Sequence, residues 1–290
     1  MMALHLAALG AGALVPDQIP GYVGAVSGLA SRACGDGLLH HGEGFGVLVF
    51  YPPDAVDLPE PELVPKLDAA VEAAQADDSI RHLTVQAPVR PSLAPKGCLE
   101  KRDYFLQLPI PAPPPGQKLR NMLRRGELEL NVEQNGGKDS FGPGHLALCA
   151  DFCRRKAPAL DAGSAHIMAH LADYLDNCPD VRLFSARKAD GSLAGCAIGD
   201  FSAFATAFYM FAFRAQDAPP GTADLLLAAV LEEADARGHT RINLGLGIGP
   251  GIEFFKKKWG ASIFLPCVEC SWQISRKTGA SGWLGRIFGK

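Results

Sequence analysis

Between Gly221 and Gly260 the chain reads GTADLLLAAVLEEADARGHTRINLGLGIGPGIEFFKKKWG, and few arrangements satisfy that stretch. Gly221-Thr222 is a helix start, Asp224 puts an acid in the first turn, and Leu225, Leu226, Ala229 and Val230 recur at helical spacing until Arg237-Gly238 stops the run. Arg241-Ile242-Asn243-Leu244 then alternates polar and apolar residues like a strand. Five glycines between 238 and 251 loosen the backbone before Phe254-Phe255. A strand that ends in such a turn exposes backbone N–H groups, and open α/β sheets gather ligands at strand ends. The stretch therefore reads as helix, strand, glycine-rich turn and short basic helix, with a ligand expected near the turn.

Around it lie 290 residues, enough for one large domain or two ordinary ones, with 48% hydrophobic and 20% charged residues as in globular proteins. A formal net charge of −3 gives no global electrostatic case for DNA or anionic membranes, so any basic surface is local. Eight cysteines are too few for a disulfide scaffold in a chain this long, and most sit in apolar stretches, which points to reduced thiols and a cytoplasmic setting. Met1 to Val15 is apolar but lacks the positively charged start of a signal peptide, so it is read as a packed segment. No apolar run approaches the roughly 20 residues of a spanning helix, and no transmembrane segment is expected.

Taken in order, glycines punctuate short β-rich pieces from Cys34 to Tyr51, with a buried strand at Phe45 to Tyr51 ended by Pro52-Pro53. Leu63, Leu67, Ala70, Val71 and Ala74 predict a helix from Glu62 to Ala76, and strands follow at His82 to Ala87 and Arg102 to Ile110. The prolines at 111, 113, 114 and 115 form a stiff connector into a basic helix, and Gln134 to Ser140 is the most turn-rich stretch, so the domain boundary is placed there. The second half then predicts helices at Gly144 to Arg155 and Ser164 to Leu175, strands at Val181 to Arg187, Leu193 to Phe201 and Phe204 to Phe213, the stretch described above, and a last strand at Ser262 to Ile274. Asp190-Gly191 marks the hairpin between the first two of those strands. The units expected are 1–135, 136–275 and a basic, apolar tail at 276–290, whose Trp283, Leu284, Ile287 and Phe288 can dock on the domain or touch a membrane or partner.

The helix ending Ala236-Arg237-Gly238, the strand Ile242-Asn243-Leu244-Gly245 and the run Phe255-Lys256-Lys257-Lys258-Trp259-Gly260 resemble the C-terminal half of the GNAT acyltransferase superfamily. The last run is similar to an aromatic-Lys-x-x-aromatic-Gly signature of its Fem-like branch, which holds peptidoglycan aminoacyltransferases and GNAT-like acetyltransferases. Lys118-Leu119-Arg120-Asn121-Met122-Leu123-Arg124-Arg125-Gly126 resembles that branch's basic helix, and together the likeness covers about Lys101 to Cys270. It implies an α+β (mixed α/β) fold of tandem GNAT-like halves, each a twisted mixed sheet flanked by helices. It further implies transfer of an acetyl or aminoacyl group from acetyl-CoA, another acyl-CoA or an aminoacyl-tRNA onto a small-molecule or peptide amine. The alternative is a binding or scaffold protein that kept the fold and lost the chemistry.

Under that resemblance, Gly221 and Thr222 begin the helix whose N–H groups would hold a donor's phosphates, with Arg214 and Asn243 nearby. Pro219 and Pro220 offer no N–H, Asp217 and Asp224 add negative charge, and the usual cradle of glutamine or arginine-x-x-glycine-x-glycine is missing. Lys256 stands where ordinary relatives place a tyrosine and can contact an anion. Glu253, Asp200 and Tyr209 are candidate bases for the attacking amine, with Glu253 preferred. Lys118, Arg120 and Arg124 on the basic helix can meet a phosphorylated substrate, 120 and 124 sharing a face. No metal is expected: His166 and His170 share a helix side with Asp173 a further turn along, but no glutamate follows His166 and two ligands alone seldom hold zinc, Cys267 and Cys270 fall on opposite sides of a strand, and Cys149 and Cys153 read as packing thiols.

Overall fold

The protein is described here from a computed structural model covering residues 2–156, 162–247 and 249–275. Helices α1 (Met2–Ala11) and α2 (Pro20–Ser27) precede strands β1 (Ala30–Cys34), β2 (Gly37–Gly42) and β3 (Gly44–Val49), and α3 (Glu60–Gln75) leads to β4 (Ile80–Ala87) and β5 (Leu99–Pro109). Then come α4 (Gln117–Glu129), β6 (Leu130–Asn135), α5 (Pro143–Lys156), α6 (Ala162–Ala169), α7 (Leu171–Asn177), β7 (Val181–Lys188), β8 (Leu193–Asp200) and β9 (Thr206–Arg214). The chain closes with α8 (Thr222–Ala236), β10 (Arg241–Leu246), α9 (Pro250–Lys258) and β11 (Ser262–Gln273). Trp283 and the rest of the 276–290 tail lie outside the described residues.

All the strands join one mixed sheet in the order β1-β2-β3-β4-β11-β5-β10-β9-β8-β7-β6. Its two parallel pairs, β3 with β4 and β9 with β10, are each bridged by a helix, α3 and α8. Each half thus repeats an antiparallel meander, a crossover helix and a parallel strand, the connection that a twisted sheet favours. The strand that completes each half belongs, by its place in the chain, to the other. β11 inserts between β4 and β5, and β5 pairs with β10 from Pro109–Arg241 to Phe105–Leu246. The two half-sheets are therefore fused edge to edge through exchanged strands.

Burial explains the elements. In α3 the stripe Leu63, Leu67, Ala70, Val71, Ala74 faces β4, whose buried Leu83, Val85 and Ala87 alternate with half-exposed His82, Thr84 and Gln86. α8 buries Leu226, Leu227, Val230, Leu231 and Ala234 against the second half-sheet on the same face as α4, while α2, α5 and α7 cover the opposite face around Tyr174, Leu183 and Phe208.

Several expectations need correction. Residues 2–27 hold two helices that no apolar periodicity signalled, since both are apolar on every side, and α2 packs in the core of the second half, where Tyr22 meets Tyr174 at 5.1 Å. β1 and β6 are additional strands, while β2 falls within the β-rich stretch expected from Cys34 to Tyr51. The helix predicted over Ser164 to Leu175 breaks at His170 (φ −107, ψ 14), giving α6 and α7. His166 and His170 rings lie 4.3 Å apart, but His170 Nδ1 donates to the His166 carbonyl at 2.8 Å. Cys267 and Cys270 do fall on opposite sides of β11, in separate core clusters.

Candidate active site

β9 and β10 pair over Arg241–Thr206, Ile242–Ala207 and Asn243–Phe208, and among the described residues the pairing goes no further. β9 continues along β8 to Arg214 and β10 continues along β5 to Leu246, so the two strands part and open a wedge in the sheet. The equivalent pair in the first half stays closed. After a shift at Gly44–Ile80, β3 and β4 stay in register from Phe45–His82 to Val49–Gln86, and the Phe50 N–H extends the ladder to the Gln86 carbonyl at 2.9 Å. Parted strands turn backbone N–H and C=O groups away from a ladder and toward whatever enters the gap.

β10 is bulged where it leaves β9. Asn243 opposes Gln107 and Leu246 opposes Phe105, so Leu244 and Gly245 share Leu106. Gly245 has φ +78, which favours glycine. Asn243 shapes the bulge: its Oδ1 accepts from the Gly245 N–H at 2.7 Å and its Nδ2 donates to the Leu14 carbonyl at 2.8 Å. Both ends of the amide are thus used by the protein itself. The Leu14 segment is in turn fixed by buried Gln18, which accepts from the Leu14 N–H at 2.9 Å and donates to the Tyr51 carbonyl at 2.7 Å. Asn243→Ala leaves the Leu14 carbonyl and the Gly245 N–H unpaired and is expected to cost about 2 kcal/mol in urea unfolding; a cost below ~0.5 kcal/mol would show that neither bond matters.

Lys256 reaches the bulge from α9. It is 5% exposed, and its Nζ donates to the Leu246 carbonyl at 2.5 Å. Burial pulls its ammonium down to about 8, against the opposing pull of nearby Asp103. Such a lysine can hold or release a proton near neutral pH. Beside it, Asp103 Oδ1 accepts from the Gly247 N–H at 3.2 Å, and the Tyr104 hydroxyl donates to Glu253 Oε1 at 2.7 Å. Glu253 also pairs with Lys257 at 2.5 Å, and Lys257 first, then Tyr104, holds its carboxyl below the usual range, which makes it a weak base. Asp103 and Tyr104 lie on β5, about 150 residues upstream in sequence by the 149-residue separation of Tyr104 from Glu253, and no local spacing announces them.

The other candidates are scattered. Tyr209 lies in β9 just past the parting, with a buried hydroxyl that has no hydrogen-bond partner among the described residues and a phenol raised well above its usual value by burial. It packs in the cluster of Leu244 and Trp259, whose Nε1 donates to buried Asp224 at 3.0 Å. Asp200 is fully buried and structural, accepting from the Tyr174 hydroxyl and from the Ser202 N–H and hydroxyl at 2.8 and 2.6 Å. Lys118, Arg120 and Arg124 are exposed on α4, Arg120 donating to the Pro115 carbonyl and to Gln117.

The start of α8 is closed. Gly221 (φ +94) is pressed against the Met122 carbonyl and the Gly126 N–H of α4, and Thr222 is fully buried, its hydroxyl donating to the Pro219 carbonyl at 2.7 Å. Arg214 is exposed at the end of β9, its carbonyl accepting from Arg155. The pocket beside this loop, of about 670 Å³, carries Glu129, Asp190 and Asp217 against Lys188, which is already paired to Asp217 at 2.7 Å. Its charge repels a diphosphate.

No protein-family model matches the chain, and no curated protein sequence matches it. Solved structures do. FemX is 12% identical with a TM-score of 0.58, covering 91% of this chain and 94% of its own. L-PGS from Bacillus licheniformis is 13% identical with a TM-score of 0.56, covering 92% and 89%. A tandem GNAT protein from the clavulanic acid biosynthesis pathway is 14% identical with a TM-score of 0.51, covering 95% and 94%. The fold is therefore a GNAT-like, Fem-type mixed α/β fold.

Proposed function

We propose that the chain is an acyltransferase whose reaction takes place where β9 and β10 part, with Lys256 as its principal polar group. The observation that carries this reading is the pairing of an opened sheet with a buried lysine anchored at the β10 bulge, in the second half alone. An amine attacks the donor carbonyl, the carbon–oxygen or carbon–sulfur bond to the leaving group breaks, and the proton lost by the amine passes to the leaving atom. The Lys256 ammonium stabilises the oxyanion that forms on the way, together with backbone N–H groups of the wedge. Tyr209 and the Glu253–Tyr104 pair border the reacting groups, and Asn243 holds the bulge in shape.

The donor we favour is an aminoacyl ester carried by tRNA, in a cytoplasmic setting, over acetyl-CoA or another acyl-CoA. The closed, acidic start of α8 supports this choice, as does the exposed basic face of α4 with Lys118, Arg120 and Arg124, which suits an RNA backbone. FemX and L-PGS are the neighbours in keeping with it. The acceptor is a small-molecule or peptide amine. Among the described residues no helix is long and apolar enough to cross a membrane.

Thermal unfolding with acetyl-CoA and, separately, with an aminoacylated tRNA acceptor-stem mimic tests the donor, because a ligand that binds only the folded state raises the melting point. The mimic is expected to raise it and acetyl-CoA to leave it unchanged. The reverse result transfers the reading to a CoA thioester. No shift with either favours the non-catalytic alternative, a reading that the closed start of α8 also supports.

A further inference from the structure

We propose that Cys98, Glu100 and Cys270 form a binding site for a soft divalent metal ion of the zinc class, a staple across the exchanged strand β11. Cys98 sits just before β5, Glu100 within it, and Cys270 opposite Glu100 on β11. The two sulfurs and a carboxylate oxygen lie within 4.8 Å of one another, the only such group of three among the described residues. Two sulfurs at about 2.3 Å on a tetrahedral ion stand roughly 3.8 Å apart, so a contraction of at most ~1 Å brings them to coordination, with water in the fourth position. Sulfur, sulfur and carboxylate is a donor set that suits zinc or cadmium and disfavours magnesium and calcium.

A cation already stands at this cluster. Arg90 Nε donates to Glu100 Oε2 at 3.0 Å, and its Nη2 lies 3.8 Å from Cys98 Sγ while donating to the Ala94 and Pro95 carbonyls at 3.0 Å each. Arg102 also pairs with Glu100, at 2.7 Å, through the other carboxylate oxygen. Arg90 therefore competes with a metal for the Glu100 and Cys98 ligands and has to swing toward solvent when one binds. The metal takes the place of the thiol protons, so binding releases protons and strengthens as pH rises. Bound, the ion would tie the loop before β5 to the strand that completes the first half-sheet.

The test is titration of the reduced, chelator-stripped full chain with Cd2+, read by the ultraviolet charge-transfer band of cadmium thiolates. One equivalent is expected to saturate the band, and Zn2+ in large excess to diminish it by competition. Cys98→Ser, at a half-buried position, should remove about half of the band and weaken binding by roughly tenfold or more, and Glu100→Gln should weaken it while leaving the band intact. Arg90→Ala should tighten binding, because it removes the competitor. A band that is unchanged in Cys98→Ser, or an affinity that Arg90→Ala leaves the same or lowers, overturns the site. Circular dichroism on each variant separates these results from misfolding.

Discussion

Lys256→Met is expected to lose acyl transfer by about a hundredfold or more and yet, at neutral pH, to unfold later than the unsubstituted protein. The two effects have one cause. In the unfolded chain the lysine keeps its proton up to about 10.5, whereas in the folded protein burial lowers that point to about 8. Between those values the unfolded state binds more protons, so stability rises with pH across the window and the burial cost stands in full below it. The cost is ~3 kcal/mol, and the hydrogen bond to the Leu246 carbonyl returns about 1 kcal/mol, leaving a gain of roughly 2 kcal/mol for a methionine of similar length. The advantage of the variant over the parent should shrink as pH rises from 8 to 10.5, and transfer by the parent should fall above pH 8 as the ammonium is lost. A stability gap that stays constant across that range would mean that Lys256 keeps its proton in the folded protein as far as in the unfolded chain, and the reading of a desolvated ammonium at the bulge would fall with it.

Gly221→Ala should be the most damaging single-methyl change in the second half. A Cβ there would stand 2.2 Å from the Met122 carbonyl oxygen and 3.2 Å from the Gly126 N, both backbone atoms of α4 that no rotamer change can move. The residue also has φ +94, outside the region that alanine accepts comfortably. Strain and overlap together are expected to cost more than ~3 kcal/mol, enough to detach α4 from α8. Gly28→Ala is the matched control, with φ +69 and nothing within 4 Å of its added Cβ, and should cost only about 1 kcal/mol. Urea unfolding of the pair settles it: equal losses would show that the helix contact yields easily.

The sequence disclosed whatever repeats locally. The α3 stripe, the Asp190-Gly191 hairpin, and the helix, strand, turn and helix after Gly221 all stand where spacing and turn chemistry put them. What escaped is what depends on distant partners. α1 and α2 are short and apolar all round, so no moment betrays them, and α2 is held by Tyr174, 152 positions beyond Tyr22 by sequence number. Around Lys256 the lysine, Glu253 and the glycines were legible from their own stretch, but Asp103 and Tyr104 arrive from β5 only because that strand crosses to the other half. Spacing also could not say that the helix start at Gly221 would be roofed over by α4, since Gly126 and Met122 carry no mark of the contact.

The exchange of β5 and β11 sets an order on biosynthesis. As the ribosome releases the chain, β4 has no partner on its inner side until Val268 to Gln273 have emerged, more than 180 residues later by the registers Ala87–Val268 and His82–Gln273. The first half therefore waits, with β4 an open edge liable to pair with a neighbouring nascent chain, and neither half closes before the other. Long-range pairings of this kind slow folding, so the cell's chaperones meet this protein as one late-closing unit and not as two successive domains.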